Sequence, residues 1–266
     1  MNEKYALKQV KIKGEAFNYF TAGDASNPAL LLFHAAYADH HIFDSQIDAL
    51  SKTHYMITLD YPGHGIERQM SSSFLIKDVP MLAEIILEDE GVQSVHVIGV
   101  SHGALIAQYF CSATHRNILS LALVSGYSVL EDNKALLKLQ NKEMIKLMLK
   151  LIFSPKAFRN AIASEATQSK QGREVFQKAL EGFGLKHMRA FATANQLMQI
   201  SSWQYTFPML LITGEFERSE VIKHNQAWAQ RSEAIAHRQI NVAGHCANLD
   251  QPIVFVETYN AWREDF

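Results

Sequence analysis

The chain has 266 residues, 48% of them hydrophobic, which is long and apolar enough to bury the core of one large α/β domain and argues against disorder. Its formal net charge of -2 comes from 25 basic and 27 acidic residues interspersed along the chain, so neither a nucleic-acid-binding face nor an acidic tail is expected. Two cysteines are too few for a disulfide scaffold, and no apolar run has signal-peptide length at the amino terminus or reaches the ~20 residues that span a bilayer, so a soluble, cytoplasmic protein without stable membrane insertion is expected.

In chain order, Gln9–Lys13 and Ala16–Phe20 read as short strands, Ala29–Phe33 as a fully buried strand, Phe43–Leu50 as a helix, and Tyr55–Leu59 as the next strand. The run Ser94 to Ala107 reads Ser-Val-His-Val-Ile-Gly-Val-Ser-His-Gly-Ala-Leu-Ile-Ala. Val95, Val97 and Ile98 favour a strand, Ala104–Tyr109 favours a helix, and Ser101 sits at the apex between Gly99 and Gly103. Glycines are needed on both sides because so sharp a turn strains the serine backbone and brings neighbouring chain against it. Leu119–Ser125 and Pro208–Thr213 are again unbroken apolar strands, and Arg238–Val242 is a weaker one. Unbroken apolar strands separated by helices predict a mostly parallel, doubly wound α/β sheet covered on both faces.

Residues 131–206 break this rhythm: they are rich in Lys, Leu, Met, Phe and Gln and predict three or four helices with no strand. An all-helical insertion between two strands is expected to form a cap over the carboxyl edge of the sheet, so that 1–130 and 207–266 make the core domain and 131–206 the cap. One cap helix carries Lys134, Lys138, Lys142, Lys146 and Lys150 at four-residue spacing, facing Leu136, Leu137, Met144, Leu147, Met148 and Leu151. It is read as a surface helix with a solvated lysine face and an apolar face turned inward, the alternative being a helix that meets an anionic membrane or an acidic partner. Phe153, Phe158, Met188, Phe191, Met198 and Trp203 are expected to line an apolar pocket or to form the core of the cap.

A serine hydroxyl is a poor nucleophile unless a base takes its proton and an acid orients that base. Among twelve histidines, His245 stands apart because it follows a strand and a glycine in Asn241-Val-Ala-Gly-His-Cys-Ala-Asn-Leu-Asp-Gln-Pro-Ile-Val-Phe. This segment resembles the histidine loop of the α/β-hydrolase superfamily, with Gly244, His245, Asp250, Pro252 and a final helix over Val254–Trp262 at the matching positions. Further landmarks follow in family order. His34 resembles the histidine of the oxyanion loop, Asp60-Tyr-Pro-Gly-His-Gly the turn after the fourth strand, and Pro208-Met-Leu-Leu-Ile-Thr-Gly-Glu-Phe-Glu the strand and loop that carry the acid.

The resemblance implies an α/β-hydrolase fold and a triad of Ser101, His245 and Glu217, where the family usually has aspartate, with Glu215, Glu131 or Asp132 as substitute acids. It also implies that the backbone N–H groups of His102 and Ala36 form the oxyanion hole, with Tyr37 as fallback, although Ala35 replaces the glycine the family favours. Tyr37 and Trp203 are candidate substrate contacts, and Cys246 is expected to pack rather than react. Serine at the apex disfavours the dehalogenases and epoxide hydrolases of the superfamily, which use aspartate there. The expected function is therefore hydrolysis of an ester-like carbonyl through an acyl-enzyme: a small carboxylic ester by default, or a lactone, thioester, amide or activated carbon–carbon bond. A non-hydrolytic lyase or a ligand-binding member of the fold is the alternative. The partner is a small-molecule substrate, with a homodimer left open, and no cofactor is expected. No metal is expected either: Asp39-His40-His41 lacks the partner histidines of a His-x-His-x-Asp-His site, because residues 35 and 37 are Ala35 and Tyr37.

Overall fold

The structure, a computed structural model, describes residues 4–69, 74–197 and 203–266. An amino-terminal hairpin of β1 (Ala6–Ile12) and β2 (Glu15–Ala22) leads into β3 (Ala29–Phe33), α1 (Asp44–Leu50), β4 (Tyr55–Leu59) and α2 (Val79–Asp89). The chain continues through β5 (Ser94–Val100), α3 (His102–Ala113) and β6 (Asn117–Val124). The described residues then form α4 (Lys134–Phe153), α5 (Pro155–Ala166), α6 (Lys170–Ala179), α7 (Leu185–Met188) and a 3-10 helix over Arg189–Leu197, before β7 (Met209–Gly214), α8 (Ser219–Ala229), β8 (Ile235–Ile240), α9 (Ala247–Asp250) and α10 (Pro252–Arg263).

The eight strands form one sheet in the order β1-β2-β4-β3-β5-β6-β7-β8. β1 and β2 join antiparallel, and every pairing from β4 to β8 is parallel. The apolar runs explain the layering. β3, β4 and β7 are buried at every position, as strands covered on both faces must be. Leu30, Leu32, Ile98, Val100, Leu210 and Ile212 pack toward α1 and α10, through Ile47, Leu50, Phe255 and Tyr259. The alternate residues Leu31, Phe33, Val97, Leu121 and Leu211 pack toward α2, α3 and α8, through Leu82, Ile86, Ile106, Phe110 and Trp228. The expected α/β sheet with helices on both sides is thus the fold of the chain.

Two elements differ from expectation. β8 begins at Ile235 rather than Arg238, because it is an edge strand paired only to β7 and its centre, His237-Arg238-Gln239, is polar and partly exposed. Val242 lies beyond it with φ at +54°. Helices α2 and α8 are not foreseen from the sequence pattern, although α2 buries Val79, Leu82, Ala83, Ile86 and Leu87 in amphipathic spacing. Among the described residues no strand falls between β6 and β7.

Candidate active site

Ser101 occupies the junction of β5 and α3, with φ at +56° and ψ at -117°. Such backbone strain costs of order 1–3 kcal/mol and persists only where surrounding structure enforces it. Here the enforcement is close packing. A Cβ on Gly103 would lie 2.2 Å from the Phe33 carbonyl oxygen, and one on Gly99 would lie 2.4 Å from the Gly103 carbonyl oxygen. The Ser101 N–H donates to the Val124 carbonyl at 2.8 Å, which ties the apex to the end of β6. The strain therefore fixes the direction of the hydroxyl.

His245 arrives from the loop after β8, and Glu217 from the loop after β7. His245 Nε2 lies 2.7 Å from Ser101 Oγ, and its Nδ1 lies 2.6 Å from Glu217 Oε2. The second Glu217 oxygen accepts from the Arg218 N–H at 2.7 Å. Burial pushes the Glu217 carboxyl up, but the adjacent His245 ring and the hydrogen bonds it receives outweigh this and hold it below the usual glutamate range. With Glu217 ionised, His245 Nδ1 is the donor and Nε2 is left to accept from the serine hydroxyl. The longer glutamate chain reaches the imidazole without distortion of the strand, because Glu217 N–H closes a turn onto Gly214 and Phe216 N–H donates to Ala243.

Glu215 points elsewhere, accepting from the Val242 N–H at 2.8 Å. Glu131 pairs with Arg231 and lies near His224, so it too is turned from His245. Asp250 braces the histidine loop against the helical segment. Its carboxylate accepts from Gly244 N–H at 2.8 Å and from the N–H groups of Gln168 and Ser169 between α5 and α6, while Cys246 N–H donates to the Ala166 carbonyl. Cys246 is buried, and burial, with Asp250 and Glu217 nearby, pushes its thiol well above the ordinary range, which suits packing.

Of the two backbone donors expected to form an oxyanion hole, one adjoins the serine in the chain and the other belongs to the loop after β3. His102 N–H opens α3, where first-turn N–H groups have no intrahelical acceptor. In the loop after β3, Tyr37 N–H is already engaged, donating to His64 Nε2 at 3.2 Å, which leaves Ala36 as the candidate. Ala35 does not need to be glycine, because the left-handed residue of this loop is Tyr37, with φ at +64°. Two neutral histidines hold the loop. His34 Nδ1 donates to Ala35 O and its Nε2 accepts from Tyr61 N–H, and His64 Nδ1 donates to Pro62 O while Nε2 accepts from Tyr37. The role of His64 was missed from sequence, although its place inside the Asp-x-x-Gly-x-Gly turn was the available signal.

Aromatic side chains roof the site. Tyr37 stacks on Phe191 with centroids 4.8 Å apart and meets Phe158 and Phe183 edge-on, and its hydroxyl reaches Met144 Sδ on α4. Phe191 also faces His64 and His102. Neither ring nitrogen of His102 has a hydrogen-bond partner among the described residues, so its imidazole is a polar group held in apolar surroundings beside Ser101. Trp203 is elsewhere, packed on Tyr205 and Phe207 against the core layer beneath α2 and α3. Phe153 is exposed, and Met198 lies outside the described residues. Asp39, His40 and His41 bring one ligand atom each to within 4.8 Å of one another, a grouping that could hold a metal ion. Hydrogen bonds already engage them: His40 Nδ1 with Asp60, His41 Nδ1 with Asp44, and Asp39 with the His41 N–H.

The buried histidines set a pH limit on the fold. Burial pushes His34, His54 and His102 down to about 4 and His96 to about 3, with Arg263 adding to the effect at His54 and His96. The unfolded chain holds these groups near the ordinary value of about 6.5, so it binds more protons than the folded chain at intermediate pH. Their contribution is complete above pH ~6.5 and is lost as pH falls toward ~4, at about 3 kcal/mol for each fully buried ring. Urea unfolding measured at successive pH values should give a free energy that is flat above neutrality and falls between pH ~6.5 and ~4.5, a window in which most carboxylates remain ionised. A constant free energy across that window would contradict it.

With fold and geometry in place, comparison with known proteins gives the class. Residues 28–252 match the family described as the alpha/beta hydrolase fold, and the chain belongs to that family. A stretch of 121 residues is 23% identical to the dihydrolipoyllysine-residue acetyltransferase component of the acetoin cleaving system of Cupriavidus necator, spanning 44% of this chain and 32% of that protein. Among solved structures the chain is similar to a membrane phospholipase A, a bacterial virulence factor, with a TM-score of 0.76 and 19% identity over 98% of this chain and 86% of the other. It is also similar to Est816, an N-acyl homoserine lactone degrading enzyme, with a TM-score of 0.72 and 18% identity over 96% of this chain and 99% of the other.

Proposed function

We propose that the protein is a serine hydrolase that cleaves an ester-like carbonyl through an acyl-enzyme, small carboxylic esters being the substrates to test first. The observation that carries this reading is the continuous relay from Glu217 through His245 to Ser101, with hydrogen bonds of 2.6 and 2.7 Å. His245 Nε2 takes the proton as Ser101 Oγ bonds to the carbonyl carbon. The electron pair of the C=O bond moves onto oxygen, where the N–H groups of His102 and Ala36 stabilise it. The tetrahedral species collapses, and His245 gives its proton to the departing alcohol. Water then enters, His245 takes a proton from it as its oxygen bonds to the acyl carbon, and collapse breaks the bond from that carbon to Ser101 Oγ, which receives the proton from His245 as the acid leaves. Glu217 stays ionised throughout and balances the imidazolium. The apolar roof of Tyr37 and Phe191 suits an acyl chain, and the free imidazole of His102 offers it one polar contact. A phospholipase and a lactone-degrading enzyme among similar structures fit the same chemistry, a lactone being a cyclic ester.

The test is covalent labelling with a reactive alkyl phosphonate, read by intact-mass spectrometry. One adduct per chain on the parent protein and none on Ser101→Ala are expected. A folded parent protein that takes no label while small probes reach the site counts against hydrolysis and favours a member of the fold without serine nucleophile chemistry.

A further inference from the structure

The cap helix α4 presents an outer surface that the proposed reaction does not use. Among the described side chains, its inner face carries Leu151, which is buried, Leu147, which packs on the core, and Met144, which meets the Tyr37 hydroxyl. The sequence pattern assigns Met148 to that inner face, but it is exposed. The reason is that the helix carries a second apolar row. Ile145, Met148, Leu149 and Ile152 follow one another at i, i+3, i+4 and i+7, and Ile145, Leu149 and Ile152 are 61%, 50% and 49% exposed. Phe153, at the end of the row, is 81% exposed. Beside this row, at four-residue spacing, run the exposed Lys142, Lys146 and Lys150, with the exposed Lys156 at the start of α5. The helix as a whole has five lysines against one glutamate.

We infer that α4 is a docking surface for an anionic lipid bilayer, on which it lies in the plane of the interface, Ile145, Leu149, Ile152 and Phe153 entering the headgroup boundary and Lys142, Lys146 and Lys150 contacting lipid phosphates. Two observations select this occupant. A solvated surface helix would bear polar residues where α4 exposes its second apolar row, so the row calls for a cover. The flanking charge then chooses what covers it. A second copy of the chain brings the same lysines to the same seam and concentrates like charge there, whereas a phospholipid surface supplies the opposite charge and an apolar layer together. The helix lies on the membrane and does not cross it: no helix among the described residues is long and apolar enough to span a bilayer. Docking this way sets the roof of the Ser101 site against the lipid, since Met144 on the inner face touches Tyr37. The inference rests on the helix surface alone and holds whatever reaction Ser101 performs.

Sedimentation with vesicles tests it. The full-length protein is expected to co-sediment with phosphatidylcholine vesicles containing phosphatidylglycerol, not with phosphatidylcholine alone, and to be released as salt is raised. The triple substitution Lys142→Gln, Lys146→Gln, Lys150→Gln should weaken binding about 100-fold. The pair Leu149→Ser and Ile152→Ser, both at exposed positions and so compatible with folding, should weaken it as well while far-UV circular dichroism stays unchanged. Absence of the folded parent protein from phosphatidylglycerol pellets at low salt overturns the proposal, as does binding that survives both sets of substitutions. A dimer by light scattering that the serine pair dissociates overturns it too, in favour of a second copy as the cover.

Discussion

Ser101→Ala is expected to lower kcat/KM for p-nitrophenyl esters by on the order of 10⁶-fold, with His245→Ala equal to it and the double variant no slower than either. The expectation follows from the relay acting as one unit. His245 has nothing to deprotonate without the hydroxyl, and the hydroxyl at 2.7 Å has no base without the imidazole, so the second removal subtracts from machinery already idle. A residual rate above that of water should persist in all three, because the N–H groups of His102 and Ala36 are backbone atoms that no side-chain change removes. The effects on stability separate the two residues. Ser101→Ala keeps the backbone that the glycine contacts enforce and should leave the urea midpoint nearly unmoved. His245→Ala leaves Glu217, whose side chain is only 2% exposed, as a buried carboxylate without its partner, and should cost about 1–3 kcal/mol. A Ser101→Ala enzyme within a hundredfold of the parent rate would show that another group attacks the carbonyl.

The legibility of the site in the sequence follows from how each part is held. Ser101 and its glycines were readable because close packing leaves a local pattern: two carbonyl approaches that no side chain can tolerate, at glycines four residues apart, flanked by a strand and a helix. The central strands were readable for a similar reason, since burial on both faces demands unbroken apolar runs such as Ala29–Phe33. β8 was misplaced because an edge strand need satisfy only one neighbour and can carry His237, Arg238 and Gln239. Ser101 and His245 are 144 positions apart in the chain, and no periodicity spans that; their pairing entered through a family resemblance. The loop support was invisible for another reason. Which of twelve histidines donates to Pro62 O and accepts from Tyr37 N–H depends on a turn whose shape only the folded chain displays. The outer row of α4 was hidden by its own regularity, because apolar residues on two adjacent arcs of one helix read as a single broad inner face until burial separates Leu151 from Ile152.

Glu217 and Glu215 are neighbouring carboxylates with different partners, His245 Nδ1 for the first and Val242 N–H for the second, so on the proposed mechanism the second large effect is expected at Glu217. Glu217→Gln should lower kcat by about 10⁴-fold with KM little changed, because the carboxylate touches the base and not the substrate. The amide has the size of the acid and can still accept from Arg218 N–H through its oxygen. What it loses is acceptance on both sides. The atom facing His245 Nδ1 then becomes an NH2 group, which donates, so the imidazole carries its proton on Nε2 and cannot take one from Ser101. Glu217→Asp retracts the carboxylate by one methylene and lengthens a 2.6 Å contact without reversing its polarity, so its rate should fall between parent and amide. Glu215→Gln supplies the control: its carboxylate accepts from the exposed Val242 N–H and not from His245, and the rate should remain that of the parent. Steady-state kinetics on the three variants decide the assignment. Full activity in Glu217→Gln together with loss in Glu215→Gln would move the acid two residues toward the strand, which requires the β7 loop to reorganise when substrate binds.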